Sequence, residues 1–491
     1  MKQLSIFLLF LVTTIGFSQI QNQSQLSIDD IMKGEDFVGY LPTNIEWADT
    51  SKDIYFSWNP DNDTIRSTYK VNINSKKINK LSFNALKAQT NSGDYTKDHK
   101  LKVYEKEGDL FLMNTASYIP KRITNTNARE YDPQFSSDQE SIIYQQDNNL
   151  FQWTIDDGTT KQLTDFKSGN EKLESKLNDQ DQWLQDDQLK YFNTLEKRKN
   201  ESDAQKYRSE QTTLERPETI YLGDKTLYNL SVSPNLNYVV YGLYIKPKDK
   251  KTTVPSYVTE SGYTTDLSAR PKVGSEQYTY ESWVLNIKTG ETVQIKTDSI
   301  EGIKDKPKYL KEYAKNLEAY KDTYDNPREV RFSNPIFSDD GKAVINITSA
   351  DFKDRWIMLI DLSNGHLKLI DRQHDDAWIG GPGIGWFSGG IMGWIDNDNI
   401  WFQSEKTGYA HLYSANVNTG KIKALTAGDF EVLDVNLSKN KKTFYLTSNK
   451  VSPHEHHFYH LPSKGGEMTQ ITSKKGGHEV TVSPDEKQLA I

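Results

Sequence analysis

The sequence predicts an all-β fold, an eight-bladed β-propeller whose last blade is incomplete, with two helical insertions. Three observations lead to that class. The first is the stretch Gly393 to Gly428, GWIDNDNIWFQSEKTGYAHLYSANVNTGKIKALTAG. There a β-favouring run at Ile400–Phe402 turns through Lys406-Thr407-Gly408 into a second run at His411–Tyr413. Asn418-Thr419-Gly420 then makes a tight turn, and Lys421 to Leu425 alternates as a strand with one buried face. Three short antiparallel strands in succession are most of one blade. The second observation is that the turn-plus-strand ending recurs: IDDGTTKQLT (Ile155 to Thr164), IKTGETVQIK (Ile287 to Lys296), LSNGHLKLID (Leu362 to Asp371), VNTGKIKALT (Val417 to Thr426) and LPSKGGEMTQIT (Leu461 to Thr472). The third is a recurring inner strand with its turn: PQFSSDQESIIY (Pro133 to Tyr144), LSVSPNLNYVVY (Leu230 to Tyr241), PIFSDDGKAVIN (Pro335 to Asn346) and VTVSPDEKQLAI (Val480 to Ile491). One such sheet cannot bury both faces alone, so the units are expected to stack radially.

Taken in order, residues 1–18 have one lysine, an apolar core and small residues before Gln19, the pattern of a secretory signal peptide. Residues 19–44 form an N-terminal segment, with a short helix expected over Ser27 to Gly34, capped by Ser27. The propeller is expected over 45–491. Its first blades fall at Ile45 to Leu81, Leu101 to Thr124 and Tyr131 to Thr164. A helical insertion at about 171–205 follows, because Leu173, Leu177, Leu184, Tyr191 and Leu195 recur at helical spacing. A fourth blade starts near Thr219, breaks at Lys246 to Gln277 and resumes at Glu281. A second helical insertion, about 305–325, places Tyr309, Leu310, Tyr313, Leu317 and Tyr320 on one side. Blades five to seven run from Arg328 to Asp371, His374 to Gly428 and Asp429 to Thr472. The eighth begins at Gly476 and stops inside a strand at Ile491, so an open seam is expected.

Composition narrows the partners. Net charge is −8, with 60 basic and 68 acidic residues intermixed, so no basic face is available for phosphates and nucleic acid is excluded as a partner. Aromatic content of 11% rules against a disordered chain despite only 35% hydrophobic residues. With no cysteine, there is neither a disulfide framework nor a lipid-modified N-terminal cysteine. His454, His456, His457 and His460 invite a metal reading, but Phe458 breaks H-E-x-x-H, and histidines on a strand point to both faces. No metal and no cofactor are expected.

WFQSEKTGYAHLY with ALTAGDFEV (Ala424 to Val432), HDDAWIGGPGIGW (His374 to Trp386) and the FYHLPSKGGEMTQIT ending resemble the N-terminal propeller region of the dipeptidyl peptidase IV branch of the prolyl oligopeptidase family, particularly its exported bacterial members. The resemblance implies a serine-type peptidase, with the propeller gating peptide substrates above a C-terminal α/β-hydrolase domain that carries the Ser-Asp-His triad. No G-x-S-x-G elbow occurs in these residues, so the hydrolase domain is absent from this chain and the chain alone lacks catalytic residues. Gly380 to Gly383 imitates an oxyanion loop but lacks the preceding histidine, and Ser388 has no glycine two residues before it. In that family, two adjacent glutamates after a tryptophan hold the substrate's amino terminus. The nearest match is Trp183-Leu184-Gln185-Asp186-Asp187, which assigns substrate binding to Asp186 and Asp187. Other implied partners are the hydrolase domain and a second copy in a homodimer, with the mature protein exported to the periplasm or beyond. The competing reading is a non-catalytic periplasmic propeller that binds another protein.

Overall fold

The computed structural model describes residues 26–172, 177–248, 252–311, 326–385 and 390–491. The expected signal peptide, Leu173, most of the second helical insertion (312–325) and Ser388 lie outside the described residues. Two compact units divide the chain: one runs through Gln89 and includes Thr481–Ala490, the other is Thr90–Val480.

The first unit holds a four-stranded antiparallel sheet, from Thr43–Trp47 to Ile78–Lys80, and the hairpin of Thr481–Val482 with Leu489–Ala490. The hairpin is fastened to that sheet: Trp47 Nε1 donates to the Thr481 carbonyl at 3.1 Å, and the Asp485 amide donates to Ser51 Oγ at 3.1 Å. A short helix, Ile28–Met32, is capped by Ser27, whose side chain accepts from the Asp30 amide.

The second unit is a succession of antiparallel sheets in which neighbouring strands in space are neighbours in sequence, over 94–122, 130–162, 226–294, 330–374, 392–424 and 432–470. The fifth sheet of the chain needs two pieces for its first strand. Val330–Phe332 and Ile336–Phe337 both pair with Ala343–Ser349, and Pro335 interrupts the ladder between them. Apolar clusters lie between successive sheets: Val240 and Val284 pack with Ile345 and Met358, and Ile357 packs with Phe402 and Tyr413. First-strand residues of four sheets, including Gln134, Ser231, Ile336 and Trp394, line a common cavity of about 410 Å³, with Lys441 from an inner turn of the next sheet at its wall.

The recurring endings have a local cause. The threonine that closes them turns its Oγ1 back to the third strand of its own sheet, accepting from the amides of Leu150 (Thr164, 3.0 Å), Leu412 (Thr426, 3.0 Å) and Phe458 (Thr472, 2.9 Å). Thr124 does the same for Leu110 at 2.8 Å. At the inner turns, Ser233 donates to Asn235 at 2.8 Å and Ser438 donates to Asn440 at 2.9 Å, which stabilises the reversal without secondary-structure bonds. Gly365 and Gly420, with φ of +72° and +73°, supply the left-handed step of the outer turns.

Two expectations change. The fourth blade opens not near Thr219 but at Thr226–Val232. Thr219–Tyr221 instead pairs in parallel with Asp165–Lys167, closing the helical excursion where it began. The excursion is two helices, Asp179–Tyr191 and Asn193–Thr212, and neither buries a residue, so the expected apolar stripe does not face a core. Only a 3-10 turn, Lys308–Lys311, is described of the second insertion. No helix among the described residues is long and apolar enough to cross a membrane.

Candidate functional site

In antiparallel sheets traced this way, the turn between strands two and three and the connection to the next sheet leave at the same end. Every long interruption of the second unit emerges there: the helical excursion, the hairpin Thr252–Ser256 with Thr265–Ala269, the segment after Gln294, and the glycine-rich stretch after His374. Two polar clusters lie beneath them.

Asp354, the first residue of the strand Asp354–Ile360, centres one cluster with a side chain 0% exposed. It accepts from Arg328 Nη2 at 2.7 Å, Arg372 Nε at 2.9 Å and His374 Nδ1 at 3.0 Å. Arg328 also donates to the Ile303 and Gly302 carbonyls at 3.0 and 2.7 Å, pairs with Asp351, and lies over the Trp356 ring. A cavity of about 240 Å³ opens beside these groups, lined by Lys306, Lys308, Lys353, His374 and Asp376 among others. Lys308 meets Asp376 at 2.8 Å, and together with His374 it holds that carboxyl below the usual carboxylate range.

Arg355 points to the other face and centres the second cluster. It is wholly buried. Its Nε donates to Asn346 Oδ1 at 3.0 Å and its Nη1 to the Gln403 carbonyl at 3.3 Å, while Nη2 has no partner among the described residues. Burial pulls the guanidinium down to about 10, against the opposing pull of Asp371. Burial in turn raises the Asp371 carboxyl, opposed by Lys406, Gln373 and Arg355. Gln403, also fully buried, donates from Nε2 to the Val432 carbonyl at 2.7 Å and leaves Oε1 unpartnered among the described residues.

The glycine-rich stretch packs directly on this floor. A Cβ at Gly383 (φ +68°) would overlap Gln403 Oε1, and one at Gly381 would overlap the Glu405 carboxylate. Glycine is therefore required there by contact as well as by backbone angle. Gly380 to Gly383 is thus a packing surface for side chains of the next sheet. Glu405 has no cation within ion-pair reach among the described residues, and burial, then Glu431 and Asp375, push its carboxyl upward. Glu431 already accepts from the Ala410 amide, and Asp375 from the amides of Ala377 and Trp378, so Glu405 is the carboxylate of the three with acceptor oxygens to offer an ammonium ion.

Asp186 and Asp187 lie on the exposed Asp179–Tyr191 helix, where Asp186 accepts from Gln182 Nε2 at 3.0 Å, and Trp183 is 62% exposed. Among the described residues, no hydrogen bond or ion pair joins them to either cluster. His457 is buried between Thr472 at 3.2 Å and Glu455 at 3.0 Å, which uses both ring nitrogens in structure. Sequence reasoning passed over Gln403, Glu405 and Arg355. The available signal was the polar triplet Gln403-Ser404-Glu405 directly after the apolar run Ile400–Phe402.

The fold and this end of it define a protein of repeated four-stranded sheets with a polar end from which the insertions emerge. Residues 94–491 match the family described as the dipeptidyl peptidase IV (DPP IV) N-terminal region, and the chain belongs to that family. A probable dipeptidyl peptidase 4 of Aspergillus fumigatus is 23% identical over 385 residues, covering 77% of this chain and 42% of that protein. The dipeptidyl peptidase 4 of Trichophyton equinum is 28% identical over 130 residues, 26% of this chain and 16% of that protein. The crystal structure of Porphyromonas gingivalis dipeptidyl peptidase 4 has the same fold, with a TM-score of 0.50 at 14% identity over 93% of this chain and 57% of that one. The chain therefore spans less than half the length of the Aspergillus relative.

Proposed function

We propose that this chain is the propeller portion of an exported serine peptidase of the dipeptidyl peptidase IV type. It selects peptides by size and holds them, while acyl transfer takes place on an α/β-hydrolase domain outside these 491 residues. The observation that carries this reading is the family match across 94–491. In this reading the hairpin at 481–490 opens an eighth blade, and residues 1–18 direct export. The substrate's ammonium end has two candidate receivers: the pair Asp186 and Asp187 on the excursion helix, and the set Glu405, Glu431 and Asp375 over Gln403. The second set is favoured by the packing of Glu405 and Gln403 on the glycine-rich stretch and by the upward push on Glu405.

The test compares this chain with the complete product of its gene on Xaa-Pro chromogenic substrates. The complete product is expected to release dipeptides and to be stopped by a serine-directed inhibitor, while the 491-residue chain releases none. Inhibitor-sensitive turnover by the 491-residue chain would overturn the reading, because a nucleophile would then lie within it. An inactive complete product would leave the protein-binding module in its place.

A further inference from the structure

Arg331 stands apart from the other arginines at the insertion-covered end. Arg328, Arg355 and Arg372 are each held by hydrogen bonds to side chains or carbonyls. The side chain of Arg331, in the strand Val330–Phe332, has neither a hydrogen bond nor an ion pair among the described residues, and its buried Nε is unpartnered. What holds it is aromatic. Its guanidinium carbon lies 5.7 Å from the Tyr280 ring centre and 5.1 Å from that of Phe352. Tyr280 is itself fixed by Tyr228 edge-on at 5.6 Å, Tyr244 at 6.4 Å and Tyr278 at 6.5 Å.

A guanidinium stacked on rings keeps its planar fork oriented and its in-plane N–H donors free. A half-buried cation without a counter-ion is costly to keep unless something it binds compensates. The group that complements such a fork is a planar oxyanion with two acceptor oxygens. Glu329, two residues earlier and just before the strand, offers a weakened competitor, since burial raises its carboxyl toward the neutral form.

We propose that Arg331 is a specificity-determining residue that receives a carboxylate of the bound peptide, either its C-terminal carboxylate or an acidic side chain. This rests on the reading that peptides bind at this end. The aromatic rings serve as the frame, and the peptide supplies the missing counter-charge.

The experiment is calorimetric binding to the 491-residue chain of an Xaa-Pro tetrapeptide with a free C-terminus, its C-terminal amide, an analogue of that amide with one Asp, and inorganic phosphate. The wild type is expected to bind a carboxylate-bearing peptide about tenfold more tightly than the plain amide. Preference for the free C-terminus or for the Asp analogue identifies which carboxylate is taken. Arg331→Gln should remove the preference and leave amide binding unchanged. Arg331→Lys, which keeps the charge without the fork, should recover only part of it, and unchanged melting temperatures would show that both variants are folded. Equal affinity for acid and amide in the wild type, or a preference that survives Arg331→Gln, overturns the assignment. Phosphate binding that depends on Arg331 without any peptide binding would keep the oxyanion site, but overturn its peptide source and the peptide reading. Absence of binding by all four probes overturns the site.

Discussion

Asp354 and Arg355 are consecutive residues of one strand, and they anchor two polar clusters on opposite faces of the same sheet: Asp354 gathers Arg328, Arg372 and His374, while Arg355 reaches Asn346 and the carbonyl of Gln403 in the next sheet. Strand alternation makes this unavoidable, since neighbouring side chains point to opposite faces. The fifth sheet is thereby tied to the segment before it by one residue and to the sixth sheet by the next. The stretch after His374, which bears Asp376 and the glycines, lies between the two clusters.

Removing the Asp354 carboxylate takes away the acceptor that Arg328, Arg372 and His374 share, leaving Arg328 with Asp351 and Arg372 with Asp305. Asp354→Ala should cost about 1–3 kcal/mol, measured by denaturant unfolding, because buried donors lose their partner. A loss below about 1 kcal/mol would mean that solvent reaches the cluster and that it is not a structural centre.

Gly383 and Gly420 have nearly the same backbone angle, φ +68° and +73°, but Gly420 faces open space and Gly383 faces Gln403. Gly420→Ala should therefore cost about 1–2 kcal/mol from backbone strain alone. Gly383→Ala should cost about 1–3 kcal/mol more. Equal losses in the two variants would remove the packing role given to the glycine-rich stretch.

Thr426 Oγ1 accepts from the Leu412 amide and lies 3.0 Å from His411 Nδ1, so Thr426→Val deletes the acceptor while keeping the shape. The expected loss is about 1–3 kcal/mol, the cost of leaving a buried N–H unpartnered. Amide exchange at Leu412 that is no faster in the variant would argue against it.

Asp376 gives the pH prediction. Its carboxyl is held low in the folded chain by Lys308 and then His374, so its contribution to stability is fully present above the ordinary carboxylate pKa. That contribution is lost as pH falls through the depressed folded value. Asp376→Asn should therefore flatten the fall in melting temperature between about pH 5 and pH 2. Superimposable wild-type and variant curves would contradict it.

What could be read from the sequence follows from range. The repeated endings and inner turns were legible because their hydrogen bonds are local: Thr164 with Leu150, Ser233 with Asn235. The Asp354 cluster was not, because Arg328 reaches it from the segment before Val330–Phe332 and His374 from the end of Leu367–His374. Leu184, Tyr191 and Leu195 had helical spacing, but spacing alone does not tell a buried stripe from an exposed one, and here the helices bury nothing. Thr219–Tyr221 looked like any blade strand, and its parallel partner fifty-odd residues earlier left no local mark. Of the candidate site, the carboxylate pair was sought by resemblance at Asp186 and Asp187. The acceptors Gln403 and Glu405 sat within a motif read only for its hairpin.

In the proposed function, peptides bind at the end of the sheets where the insertions emerge. Photo-cross-linking locates that binding, using an Xaa-Pro peptide with a free amino terminus and a benzophenone at its third residue, mapped by mass spectrometry. Adducts are expected in 375–385, at 405–408 and on Val330–Phe332. Adducts confined to the opposite-end turns, 338–342 and 438–442, would contradict it.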